Sequence, residues 1–156
     1  DPDCLMLRAS ETRLTVDERV ALASVIAGSG GMLLISDDMA LLCEAESALY
    51  REAAALGAEM DSGVEPEPIV ALDLMDNAPI RGLVKETRDG ALAMILNRGE
   101  SPQRFDLNSL GDGTFHIRAL GGQEGDASGT IDLPPHSARI VRMNKKISPA
   151  TTLRVH

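Results

Sequence analysis

Aromatic residues are nearly missing from this chain of 156 residues, which has Tyr50, Phe105 and Phe115 but no tryptophan. That scarcity argues against a sugar groove lined with aromatic rings and against platforms that stack nucleic-acid bases. Basic residues are also short. Lys and Arg total 15 against 24 Asp and Glu, a net charge of −9, so nucleic acid is not an expected partner. The two cysteines, Cys4 and Cys43, lie far apart with no Cys-x-x-Cys spacing, which supports neither a disulfide framework nor a zinc site. No apolar run approaches the roughly 18 residues of a membrane span, so no membrane partner is expected, and there is no signal-peptide pattern. The chain begins at Asp1 rather than Met, and the compartment stays open.

Apolar residues make up 44% of the chain, enough for a sizeable core. Charge is unevenly spread: residues 1–80 hold 16 acids and 4 bases, residues 81–156 hold 8 acids and 11 bases. Two structural units with different surfaces are the simplest reading.

The first half reads as helix, strand, helix. Thr15-Val16-Asp17-Glu18 fits a capping box, and behind it Val16, Val20, Ala23 and Ala27 recur at helical spacing, widened by Leu22, Val25 and Ile26. Gly28-Ser29-Gly30-Gly31 stops this helix. Met32-Leu33-Leu34-Ile35 follows without polar alternation, the pattern of a strand buried on both faces of a parallel sheet. Ser36-Asp37-Asp38 offers caps for a second helix with an inner stripe of Leu42, Ala45, Leu49, Ala53 and Leu56, ending at Gly57. Such a segment is a βα repeat seen near its end. Its strand lacks a parallel neighbour elsewhere in the sequence, so the chain reads as truncated at its N-terminus.

Residues 58–72, with acids, prolines and a glycine, read as a connector. The period then changes. Ile80–Glu86, Ala91–Asn97, Gln103–Leu107, Thr114–Leu120, Gly129–Leu133 and Ala138–Met143 are short strand candidates separated by turns, the pattern of an antiparallel β-sandwich over 73–144. Residues 145–156 read as a tail.

Few residues carry a chemical signal. Asp1-Pro2-Asp3-Cys4 is a turn or helix start, or else two carboxylates placed for a metal or sugar hydroxyls. Asp37-Asp38 is more simply a helix cap than part of an active-site mouth. His116, His136 and His156 are isolated from one another and from the cysteines, and no Gly-x-Ser-x-Gly or phosphate loop is present. Nothing calls for a metal or cofactor.

Asp1-Pro2-Asp3-Cys4-Leu5-Met6-Leu7-Arg8, then Leu14-Thr15-Val16-Asp17-Glu18, then Gly30-Gly31-Met32-Leu33-Leu34-Ile35-Ser36-Asp37-Asp38 form an ordered series. It resembles the C-terminal portion of the melibiase-type α-galactosidases, glycoside hydrolase family 36, and more distantly family 27. Ala91–Asn97, Gly129–Leu133 and Pro134-Pro135-His136-Ser137-Ala138-Arg139 are similar to the closing pattern of the sandwich that follows the barrel in that family. The resemblance implies that residues 1–57 are the end of a (β/α)8 barrel. It implies retaining hydrolysis of terminal α-galactosides without metal or cofactor, through two carboxylates about 5–5.5 Å apart. In the family both lie upstream of the Asp-Pro-Asp motif, so no catalytic residue is expected here and the chain alone should be silent.

By the same resemblance Asp3 contacts a sugar hydroxyl, Cys4 walls the pocket and Asp1 orders the loop. A carboxylate suits the first task because it only accepts, and accepts with charge. The implied partners are a galactoside substrate in the complete enzyme and the remainder of the barrel, or self-association over an open strand edge. The rival reading is a non-catalytic sandwich that serves as an interaction or carbohydrate-binding module.

Overall fold

The structure, a computed structural model, describes residues 3–61, 69–72, 78–87, 90–122 and 124–144. The expected tail, 145–156, lies outside these. Two helices and a short parallel strand pair pack on one face of a six-stranded antiparallel sheet, and a two-stranded sheet covers the other face.

Helix α1 runs Val16–Gly28 and begins with the capping box the sequence encodes: Thr15 Oγ1 accepts from the Glu18 N–H and Glu18 Oε2 accepts from the Thr15 N–H. Its apolar residues do not form one stripe, because the helix is enclosed on two sides, by α2 (Glu44–Asp61) and by the sheet. Ala21, Ala23, Ser24, Ile26, Ala27 and Gly28 are buried, whereas Val16 is exposed. A Cβ on Gly28 would stand 3.2 Å from that of Met94, so the helix end lies almost on the sheet.

The first half departs from expectation in three places. The strand at Met32–Ile35 does have a partner: β1 (Cys4–Leu5) pairs in parallel with β2 (Leu34–Ile35), and α1 is the crossover between them. The Asp-Pro context masks β1 in the sequence. Second, β2 is not buried on both faces. Leu34 is 44% and Ile35 50% exposed, because β1 is the only strand paired with it among the described residues. Third, α2 neither starts behind Ser36-Asp37-Asp38 nor ends at Gly57. Asp38 caps a 3-10 turn at Met39–Leu41 by accepting from the Ala40 N–H, and α2 begins beyond it, with Glu46 accepting from the Cys43 N–H. The helix passes through Gly57 to Asp61 because Leu56 and Met60 are both buried.

The large sheet has the order β3-β4-β5-β10-β7-β8: Val70–Leu72, Ile80–Thr87, Gly90–Asn97, Ser137–Met143, Phe115–Arg118 and Glu124–Ala127. β6 (Gln103–Asp106) and β9 (Thr130–Leu133) form the small sheet. All six strands read from the sequence are present, while β3 and β8 were not foreseen. β8 has no buried residue and is held by its ladder to β7.

Alternate side chains of β5 point to opposite faces, as a pleated strand requires. Leu92 and Met94 join the core beneath the helices; Ala91, Ala93 and Ile95 join the core shared with Phe105, Leu107 and Leu133. β10 divides likewise, Ala138 and Ile140 on one side, Val141 and Met143 on the other.

At Gly90 a Cβ would stand 1.9 Å from the Met143 carbonyl oxygen. Gly90→Ala is therefore expected to destabilise by about 2 kcal/mol or more in urea unfolding. Gly125→Ala, with nothing within 4 Å, should stay within about 0.5 kcal/mol of the parent.

Candidate functional site

Asp3 and Cys4 stand together where β1 begins. The Asp3 carbonyl accepts from the Leu34 N–H at 2.9 Å, so Asp3 belongs to the parallel ladder. Both residues are half-buried, and the Cys4 thiol faces Asp3 Oδ1 at 3.6 Å. Asp1 and His156 lie outside the described residues. Cys43 is exposed, and both cysteines are free.

The segment that follows β1 is held by two inward-turned carboxylates. Asp37 Oδ2 accepts from the Leu7 N–H at 2.5 Å, the Arg8 N–H at 3.0 Å and the Tyr50 hydroxyl at 2.6 Å. Arg8 Nε lies 3.5 Å from Asp37 Oδ1. The Tyr50 hydroxyl is also 3.0 Å from the Leu5 carbonyl. Burial, with Asp37 beside it, pushes the Tyr50 phenol above its ordinary range. Asp37 is thus an internal anchor, neither a helix cap nor a free carboxylate.

Glu46 is the second anchor. Its carboxylate accepts from the Cys43 N–H at 2.8 Å and the Ala9 N–H at 2.5 Å, and Arg19 Nη1 lies 3.4 Å away while donating to the Leu7 carbonyl at 2.7 Å. The Cys43 N–H, followed by that of Ala9, holds the Glu46 carboxyl below the usual carboxylate range against the opposing effect of burial. Sequence reading missed Glu46 and Arg19. The spacing from Cys43 to Glu46 matches half a capping box, but the missing Ser or Thr at its first position hides it.

The arrangement presents Asp3 and Cys4 on a strand whose onward course is fixed from below by Asp37, Tyr50, Glu46 and Arg19. Asp37 Oδ2 and both Glu46 oxygens are taken up by donors, whereas Asp37 Oδ1 is buried without a hydrogen-bond partner among the described residues. Asp38 is spent on its turn. His116 sits between Asp126 at 3.1 Å and Glu124 at 3.5 Å on the β7–β8 hairpin, and His136 bonds to Glu100 at 3.0 Å. Among the described residues no group of three or more His, Cys, Asp or Glu could hold a metal ion.

Two outcomes follow from these anchors. In urea unfolding, Tyr50→Phe should cost about 1–2 kcal/mol and Asp37→Ala about 3 kcal/mol or more, since the latter strands buried donors. Glu46 has a folded pKa below its ordinary 4.5. Its contribution is present above that ordinary value and is lost as pH falls through the lowered folded one. Thermal melts from about pH 6 to about pH 3 should therefore show a smaller acid loss of Tm in Glu46→Gln than in the parent.

No protein-family model matches the sequence, and no curated protein resembles it closely enough to match. Solved structures do match. α-Galactosidase I from Mortierella vinacea superposes with a TM-score of 0.65 at 14% identity, over 92% of this chain and 39% of that one. A family 27 β-L-arabinopyranosidase from Geobacillus stearothermophilus, in complex with arabinose, gives 0.63 at 16% identity over 96% and 37%. An Arthrobacter globiformis isomalto-dextranase complexed with panose gives 0.56 at 17% over 85% and 24%. The glycoside hydrolase family named among these three is family 27, the more distant of the two that the motifs suggest. At these identities the likeness concerns the fold, and the chain spans between 24% and 39% of these structures. It has the fold of a portion of these glycoside hydrolases.

Proposed function

We propose that this chain is the C-terminal portion of a retaining glycoside hydrolase of the α-galactosidase type, in which residues 1–57 close a (β/α)8 barrel and residues 73–144 form the sandwich behind it. The observation that carries the reading is the β1–α1–β2 unit, a parallel crossover packed on antiparallel sheets, in an arrangement shared over nearly the whole chain with an α-galactosidase structure. Parallel strands belong inside larger, covered sheets. The apolar residues exposed on and around β1 and β2, Met6, Met32, Leu34, Ile35, Met39 and Leu41, fit a surface that such a sheet would cover.

In this reading the two reacting carboxylates come from the part of the barrel that precedes Asp3. Asp3 accepts a hydrogen bond from a sugar hydroxyl, and Cys4 forms the pocket wall beside it. The ladder to Leu34 and the Tyr50–Asp37 anchor hold that strand in place, so the carboxylate meets the substrate without first being ordered. Where the barrel is missing, a second copy of the chain covers the same residues. Monomeric sedimentation of residues 1–156 at high concentration would count against that last step.

An aryl α-galactoside assay tests the reading. Residues 1–156 alone should be silent, and the polypeptide carrying the preceding barrel should hydrolyse the substrate. In that longer protein Asp3→Ala should lower kcat/KM by about 10- to 100-fold, the worth of one charge-assisted hydrogen bond. Hydrolysis by residues 1–156 alone, or a longer protein indifferent to Asp3→Ala, would refute it. Galactoside binding by residues 73–144 alone would favour the interaction-module reading instead.

A further inference from the structure

A cleft that the sugar-site reading leaves unused opens where α1 passes the end of β5 and the turn between β9 and β10. Its volume is about 220 Å³. Ala21, Leu22 and Val25 from one stripe of α1, with Leu96 from β5, line it with aliphatic groups. Glu18, one turn before Ala21, and Arg98 and His136 from the two turns add charge. An apolar cleft with a few convergent polar groups is the commonest form of small-molecule site.

The charged groups are held in place from within. Asn97, fully buried, donates through Nδ2 toward the Ser101, Leu133 and Pro134 carbonyls and accepts from the Gly99 N–H, which ties the β5–β6 turn to the β9–β10 turn. His136 adopts a φ of 51°, uncommon for a residue with a side chain, and is paired with Glu100. His136 also faces Glu18 across the cleft, so that each favours the charged form of the other. Neither Glu18 nor Arg98 has a direct ion-pair partner among the described residues. The Arg98 guanidinium has as its one partner among the described residues the Ala78 carbonyl, 3.5 Å from Nε. Glu18 spends Oε2 on the Thr15 N–H and has no partner for Oε1 among the described residues. The Thr15 N–H also holds the Glu18 carboxyl below its ordinary range, so it is ionised at neutral pH.

We propose that this cleft binds a small aliphatic zwitterion of the amino-acid class, its carboxylate on Arg98, its ammonium toward Glu18 and its side chain on Leu22, Val25 and Leu96. A guanidinium fork matches a carboxylate in shape as well as charge. A ligand with a carboxylate alone leaves Glu18 answered only by His136, and one with an ammonium alone leaves Arg98 unanswered. A dipolar ligand answers both directly, and the aliphatic lining accommodates its side chain.

The test is a titration of residues 1–156 with L-leucine, followed by the methyl resonances of Leu22, Val25 and Leu96. Millimolar affinity is expected for so small a ligand. 4-Methylpentanoate and isopentylamine, which are leucine without its ammonium and without its carboxylate, should bind at least about fivefold more weakly, and Arg98→Gln should weaken leucine by about tenfold. Arg104→Gln, which removes an exposed partner of Asp132 on the small sheet, should leave the affinity unchanged. The absence of saturable shifts up to about 50 mM leucine would overturn the proposal. So would 4-methylpentanoate binding as tightly as leucine, or an Arg98→Gln variant equal to the parent.

Discussion

The architecture rests on a sheet that must be apolar on both faces. β5 and β10 each divide their side chains between a core under the helices and a core under β6 and β9. With so few aromatic rings, that double burial is accomplished by aliphatic and small residues. Ala21, Ala23, Ala27, Ala53 and Gly28 bring the helices close, and close packing then supplies the many weak contacts that a large ring would otherwise provide. The same closeness explains why α1 has no solvent stripe along its middle. The helix is enclosed by α2 on one side and by β5 and β10 on another.

The acidic character of the first half has a structural side. Two of its carboxylates, Asp37 and Glu46, turn inward and satisfy the backbone donors of residues 7–9, where neither helix nor ladder supplies partners. A buried carboxylate is costly unless donors and opposite charge surround it; here main-chain N–H groups and a phenol donate, and Arg8 or Arg19 stands as the counter-charge. The segment between β1 and α1 is thus held by charge and hydrogen bonds, whereas the sheet is held by apolar contact. It connects the candidate sugar-facing residues to the rest of the molecule.

Much of the fold is legible in the sequence where local signals act alone. The Thr15–Glu18 box, the glycines after α1 and six strands bounded by turns follow from caps, turn residues and alternation, and all appear in the structure. What escapes is set by partners distant in sequence. β1 is two residues long and exists because Leu34 and Ile35 pair with it. β8 carries no buried residue and exists because β7 pairs with it. α2 runs through Gly57 because of Leu56 and Met60, although the glycine alone suggests an end. At the candidate site, Asp3 and Cys4 could be singled out only as part of a longer motif. The roles of Asp37 and Glu46 needed the fold, since their partners at Leu7, Arg8 and Ala9 lie about 30 or more positions away.

The edges at β8 and at β2 differ in what they offer a neighbour. β8, at one end of the large sheet, presents Glu124 and Asp126 with Gly125 between them, and carboxylates along an edge repel a like strand. β2 presents Leu34 and Ile35, and nothing in its side chains resists pairing. Contact between copies through β2 would join like to like, with each chain using the same surface. Such contact closes after two chains, whereas a molecule with two receptive ends would go on adding copies. Of these two edges, the charged one at β8 is the less receptive to a like strand.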